Sequence, residues 1–309
     1  MTTISNPDNV EAIQQPQPQL QPQLQPQLQP HIPCICVLTL IRLDLLKRLI
    51  DSIDYPVSKV VILFQGNISK NKISSLSNKF VEKFIFISSN MNIGVSRGWN
   101  YFMINFPSPY WLISGDDCYF EPNTLENIAN FMSIPSSLEN VFCGLKIKNR
   151  NESLIKNLNE SLTAGFNTFV ITNLLLQNVG LFDENIYPAY FEDDDLRKRI
   201  QLTKQQTTTI DNAYINSGDS KHFYSCTLNS VHSNYRKKMD ECYVLNEKYY
   251  IEKWNRLIFV TDGNSFDTPF NNPNFSVKDH RIPHVNYLKN QKILLGHTND
   301  PVFTYLSTI

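Results

Sequence analysis

An α/β fold, with a mostly parallel sheet covered by helices on both faces, is the fold class that this 309-residue sequence predicts. Three observations predict it. Apolar runs of strand length recur from Cys34 onward. The runs are continuously apolar rather than alternating, as in strands buried on both faces. The stretches between them carry apolar residues at helical spacing.

The first run, Cys34 to Leu40, reads as a buried parallel strand. It leads into Leu43 to Ile53, where Leu46, Leu49, Ile50 and Ile53 fall on one helical face. Further strands are predicted at Lys59 to Phe64, Phe84 to Ser88 and Tyr110 to Ser114, with helices at Gly94 to Asn105 and Asn123 to Met132. Beyond Pro135 the rhythm loosens. Val141 to Leu145 and Phe169 to Thr172 read as strands and Thr172 to Val179 as a short helix. Ile186 to Tyr190 reads as a loop, and Asp194 to Leu202 and Lys237 to Trp254 as helices. This second half is expected to extend the same sheet. At the other end, Gln14 to Pro30 is a Gln-Pro-Gln-Leu repeat too poor in apolar surface to offset its ordering entropy, so residues 1–33 are expected to be disordered.

Composition narrows the function classes. With 18% charged residues and a net charge of -1, the chain lacks the basic footprint of a nucleic-acid binder. No apolar run approaches the length of a membrane span, and the first thirty residues lack the pattern of a signal peptide, so a cytoplasmic location is expected. Six cysteines (Cys34, Cys36, Cys118, Cys143, Cys226 and Cys242) form no Cys-x-x-Cys pair, which predicts buried reduced thiols. Abundant Asn, Ile and Lys point to an AT-rich genome such as that of a large DNA virus, in which case the host cytoplasm or the virion is the expected compartment.

In a parallel sheet, ligands bind beyond the carboxyl ends of the strands, which singles out the residues just after each one. Asp116 and Asp117 sit together at the end of an apolar strand in Trp111-Leu-Ile-Ser-Gly-Asp-Asp-Cys118. Two adjacent anions there call for a cation, or else they are a solvated turn. A second acidic run, Phe191-Glu-Asp-Asp-Asp-Leu196, follows the aromatic loop Tyr187, Pro188, Tyr190 and opens a helix. Acids suit a helix start, but capping does not require four of them. A carboxylate shielded by those aromatics would have the raised pKa of a general base. Asn92, Gly94 and Arg97 lie where a strand passes into a helix, a site suited either to a diphosphate or simply to starting the helix.

The order of these pieces resembles the nucleotide-diphospho-sugar glycosyltransferases of the GT-A fold, near their inverting rhamnosyltransferase-like branch, over roughly Ile35 to Asn271. The pieces are Thr39 and Arg42 after an apolar strand, the Asn92-Ile-Gly94 turn, Trp111 to Asp117, and Phe191 to Leu196. The resemblance implies a hexosyltransferase in which Asp116 contacts the donor ribose and Asp117 holds Mn²⁺ or Mg²⁺. Asp193 would be the catalytic base, with Glu192 beside it and Asp195 and Tyr190 supporting the acceptor or the loop. Thr39, Arg42, Gln65, Asn92, Gly94 and Arg97 would complete the donor site. Lys221-His-Phe-Tyr-Ser-Cys-Thr227 resembles the family's His-x-x-Ser-x-Thr segment, which makes His222 a metal ligand, with His232 as its rival. The implied partners are a nucleotide-diphosphate sugar and a glycan or other hydroxyl acceptor. Residues 34–290 would be the transferase domain, with a donor half to about 135 and an acceptor half from 136, followed by a tail over 291–309. The chain departs from the family at Phe64-Gln65-Gly66-Asn67, where relatives carry an acid that reads the nucleotide base, and at Asn255 and Arg256, where they carry glycines.

Two other readings remain. A non-catalytic domain of the same fold, binding nucleotide sugars or glycans or acting as a scaffold through the Gln-Pro tail, would not need both acidic pairs. A sugar nucleotidyltransferase would need a glycine-bearing loop after the first strand, where Ile41-Arg42-Leu43 has none.

Overall fold

The computed structural model describes residues 30–40, 42–139, 141–148, 165–218, 233–255, 265–279 and 285–308. Four strands form the centre: β1 (Ile35–Thr39), β2 (Val60–Gln65), β3 (Phe84–Ser89) and β4 (Tyr110–Gly115). They are mutually parallel in the order β3-β2-β1-β4. Each is buried along almost its whole length, as a strand covered on both faces must be.

Period-2 alternation sends successive residues to opposite faces. Ile35, Val37, Val60, Ile62, Phe84, Phe86 and Leu112 enter one core, which α1 (Leu43–Asp51) covers with Leu46, Leu49 and Ile50 and α4 (Thr124–Met132) with Leu125 and Ile128. Between them in the chain lies the short α2 (Lys70–Ile73). Cys36, Val61, Leu63, Ile85, Ile87, Trp111 and Ile113 enter the other. That face is covered by Phe102 of α3 (Val95–Asn105), Leu175 of α5 (Asn173–Val179) and Leu196 of α6 (Glu192–Leu202).

The second half of the chain adds β8 (Thr168–Thr172), β6 (Val141–Gly144) and β9 (Gln206–Thr208) beyond β4. A separate three-stranded sheet consists of β5 (Cys118–Phe120), β10 (Tyr214–Ser217) and β7 (Lys146–Ile147). The long α7 (Ser233–Trp254) packs against α8 (Val285–Leu295). The final segment is more than the tail the sequence suggested: β11 (Phe303–Thr308) pairs antiparallel with β3 and closes that edge of the main sheet. All five described cysteines are free and buried. Among the described residues no helix is long and apolar enough to cross a membrane.

Candidate active site

The strand order reverses at β1: β2 and β3 lie to one side, β4 to the other. Connections leaving β1 and β4 therefore diverge, and a crevice opens between their carboxyl ends. A cavity of about 280 Å³ lies there. Leu38 and Leu40 border it from the end of β1, Gln65 from β2, and Ser114, Gly115 and Asp116 from β4. Its far wall is Pro188, Ala189, Tyr190 and Glu192, with Tyr235 and Met239 of α7. Apolar walls carrying a few converging polar groups are the usual make-up of a small-molecule site.

Across the crevice the Thr39 hydroxyl donates to Asp116 Oδ2 at 2.7 Å, so a buried carboxylate is oriented from the neighbouring strand. Asp116 and Asp117 form the tight turn between β4 and β5. The carbonyl of Asp117 accepts from Arg48 Nη2 at 3.1 Å and from the Gly218 amide at 3.0 Å, and Arg48 stacks over Tyr119 at 4.4 Å. The Asp117 side chain is half-buried, its Oδ1 lies 3.8 Å from Cys118 Sγ, and unlike Asp116 it does not border the cavity. Arg42 does not border the cavity; it pairs with Asp44 at 2.7 Å on α1.

At the start of α3 the amides that lead into the helix find partners within the protein. Gln65 Oε1 accepts from the amides of Ile93 and Gly94, both at 3.1 Å, Asn92 Oδ1 accepts from the Gly94 amide at 2.8 Å, and the Pro188 carbonyl accepts from Val95 at 2.7 Å. The amides of Ile93, Gly94 and Val95 are thereby engaged within the protein. Gly94 has φ +82°, and a Cβ there would lie 2.7 Å from the Tyr187 ring and 3.1 Å from the Pro188 carbonyl, so glycine allows the 187–190 loop to dock. Arg97 turns away from the cavity, donating to Tyr287 Oη at 3.0 Å with Glu184 at 3.8 Å. Asn92 and Gln65 reach the cavity, Asn92 through a side chain that also donates to Tyr235 Oη at 2.7 Å.

The acidic run divides by depth. Tyr190 and Phe191 both adopt left-handed φ, 75° and 78°, and so turn the chain sharply into α6. Such conformations cost roughly 1–3 kcal/mol per non-glycine residue and persist only where the surroundings hold them. A buried asparagine cluster does so. Asn246 Nδ2 donates to the carbonyls of Tyr187 and Ala189 at 3.1 and 2.9 Å, and Asn290 donates to Tyr187 O and to Asn246 Oδ1 at 2.9 and 2.7 Å. The turn delivers Glu192 to the cavity wall, buried, with Oε2 lacking a hydrogen-bond partner among the described residues. Burial, with the negative charges of Asp193 and Asp194 added, pushes the Glu192 pKa up to about 8. Asp193 does not border the cavity and pairs with Arg197 at 3.3 Å, which also contacts Asp194 at 3.1 Å. Burial raises Asp194 to about 6, with Asp193 adding to the shift. Asp195 faces inward, bonded to Arg199 at 2.9 Å, Lys253 at 2.7 Å and Trp254 Nε1 at 2.8 Å. It is fully enclosed and ties the start of α6 to Lys253 and Trp254 of α7.

Tyr235, Met239 and Trp99 border the cavity without having been anticipated. The helical pattern of α7 was visible, but which of its residues reach the cavity depends on partners such as Asn92, more than a hundred residues away in sequence. His222 and His232 lie outside the described residues. Among the described residues no three His, Cys, Asp or Glu side chains are grouped to hold a metal unaided.

No family model matches the chain, and no curated protein matches its sequence. Among solved structures the chain is similar to a mannosyltransferase from Pyrobaculum calidifontis in complex with GDP-Man and Mn²⁺, at 13% identity over 72% of this chain and 65% of that one, with a TM-score of 0.49. It is similar to S. aureus TarS at 14% identity, over 70% and 43% of the two chains, with a TM-score of 0.45. It is also similar to GalNAc-T7 with UDP, GalNAc and Mn²⁺, at 9% identity, over 72% and 50%, with a TM-score of 0.47. The matched part spans less than two thirds of each of these three chains.

Proposed function

We propose that this chain is a GT-A-type glycosyltransferase that moves a hexosyl group from a nucleotide-diphosphate sugar to a hydroxyl acceptor with inversion. The observation that carries this reading is one cavity, at the point where the strand order reverses, bordered by both an oriented donor-side carboxylate, Asp116, and a buried carboxyl of raised pKa, Glu192. Asp116 would accept hydrogen bonds from a ribose. Direct displacement needs a group that takes the acceptor proton as the new bond forms. Of the two carboxyls that the resemblance offers for catalysis, Glu192 reaches the cavity and Asp193 is engaged with Arg197, so we assign the proton-accepting role to Glu192.

The reading includes a divalent cation of the Mn²⁺ or Mg²⁺ type, for which Asp117 would be the carboxylate. Such ions bind through one or two carboxylates with substrate phosphates completing the shell, and Asp117, half-buried next to Asp116, would supply one hard oxygen ligand. When bound, the ion would neutralise charge on the departing diphosphate. His222 is the further ligand that the resemblance implies.

Thermal unfolding in the presence of UDP-, GDP- and dTDP-sugars with Mn²⁺ tests the reading. One donor at about 100 times its Kd should stabilise the protein by about 2.7 kcal/mol. EDTA and Asp117→Ala should each remove that shift. If no nucleotide sugar shifts the melting temperature, the chain is not a transferase of this kind.

A further inference from the structure

Helix α7 presents two stripes. Tyr235, Met239, Cys242 and Asn246, spaced i, i+4, i+7, i+11, face inward towards the cavity wall and the 187–190 loop. Alongside them Arg236, Asp240 and Tyr243, spaced i, i+4, i+7, are exposed. Tyr243 meets the rings of Tyr190 at 5.4 Å, edge to face, and of Phe191 at 5.0 Å. Tyr190 and Tyr243 are 37% and 38% exposed, and the neighbouring Val244 is 45% exposed.

Tyr190 is the informative residue. Its left-handed backbone would be met at least cost by glycine, yet it carries a large aromatic ring that remains over a third exposed. Folding alone gains little from such a ring. The same residue borders the cavity, so the outer aromatic pair and the cavity holding Glu192 form one continuous surface. Asp240 and Arg236 lie close enough to influence the charge of the Tyr190 hydroxyl, which places polar groups of both signs beside the rings.

We infer that Tyr190 and Tyr243, flanked by Asp240 and Arg236, form an acceptor subsite for a saccharide. A sugar ring has an apolar face of C–H bonds and a polar edge of hydroxyls. The face packs on an aromatic ring, and the edge is recognised by a carboxylate that accepts and a guanidinium that donates. A ring seated on this pair directs a hydroxyl inward along Tyr190 towards Glu192. The inference rests on the proposed transferase function for its direction, because it names the acceptor of that same site.

Saturation-transfer NMR on the full chain tests it, with methyl glucoside, methyl galactoside, methyl mannoside, methyl rhamnoside and N-acetylglucosamine as probes and octanol as an apolar control. At least one saccharide should receive saturation on its ring C–H face. Tyr243→Ala should weaken its binding about tenfold, as loss of an aromatic contact does, while Tyr243→Phe keeps it within about twofold. Saccharide binding that Tyr243→Leu leaves unchanged overturns the stacking role, and so does octanol binding in place of every sugar. The absence of binding by any saccharide, with donor stabilisation intact, removes the subsite and spares the transferase. Tyr243-dependent saccharide binding without any response to nucleotide sugars removes the transferase and leaves a carbohydrate-binding rim.

Discussion

Glu192 and Asp195 sit one helical turn apart, both buried, at the head of the same helix, and they have opposite electrostatics. Burial penalises both charges. Around Asp195 that penalty is overcome by Lys253 and Arg199, with Trp254 Nε1 donating as well, and its pKa falls below the ordinary range. Around Glu192 no cation offsets it: the nearest charges are acidic, the backbone hydrogen bonds at Glu192 and Tyr190 offset only part of the penalty, Oε2 has no partner among the described residues, and the pKa rises to about 8. A protein that only needed to start a helix would have no use for the second arrangement. The contrast separates a carboxylate that holds the fold from the one to which the proposed function assigns the acceptor proton.

Asp195→Asn should have the largest effect on stability. It leaves Lys253 and Arg199 buried, with Asp183 as the remaining anion of the network, which pairs with Lys253 at 2.7 Å. Removing one member of a buried ion network typically costs about 3–5 kcal/mol. Denaturant unfolding measures this directly. A loss under about 1 kcal/mol would mean that Asp195 is not compensated in the manner described.

Glu192→Gln should act the other way. Transfer should fall by about 10² to 10⁴ if this carboxyl takes the acceptor proton. Stability should rise, because the folded pKa lies above the ordinary value of 4.5. A group of this kind contributes stability that is fully present below its unfolded pKa and is lost as pH rises through about 8. The wild-type protein therefore loses stability on the order of a few kcal/mol across that window, and the glutamine variant does not. Turnover of the wild type should climb with pH towards a plateau above about 8. A melting-temperature series and a rate profile across that window check both halves.

The fold was legible where the strands are fully buried, because Cys34 to Leu40 and Phe84 to Ser88 have no other stable reading than a covered sheet. The short strands β5, β7 and β10 and the edge strand β11 were not legible. Two to six residues with mixed burial leave no period to detect, and their pairing depends on partners far away in sequence. The acidic run was visible as a whole, but its division was not. Which of four consecutive acids faces the cavity depends on the left-handed turn at Tyr190 and Phe191, and that turn is held by Asn246 and Asn290 from α7 and α8. Arg97 shows the same limit: a basic residue one turn into a helix suits a phosphate until Glu184 and Tyr287 are seen beside it.

Asp193→Asn sharpens the contrast with the smallest expected effect on stability. Its side chain is 29% exposed and its partner Arg197 is 25% exposed, and such pairs contribute about 0–1 kcal/mol. The variant also removes a negative charge that raises the Glu192 pKa, so the midpoint of the rate profile should move to lower pH while the plateau stays close to that of the wild type. Rates measured across pH for Asp193→Asn beside Glu192→Gln decide between the two carboxyls. A midpoint that shifts with the plateau kept places the proton on Glu192. A plateau that collapses by about a hundredfold or more in Asp193→Asn, with Glu192→Gln still turning over, would return the base to Asp193 and make Glu192 the group that raises its neighbour's basicity.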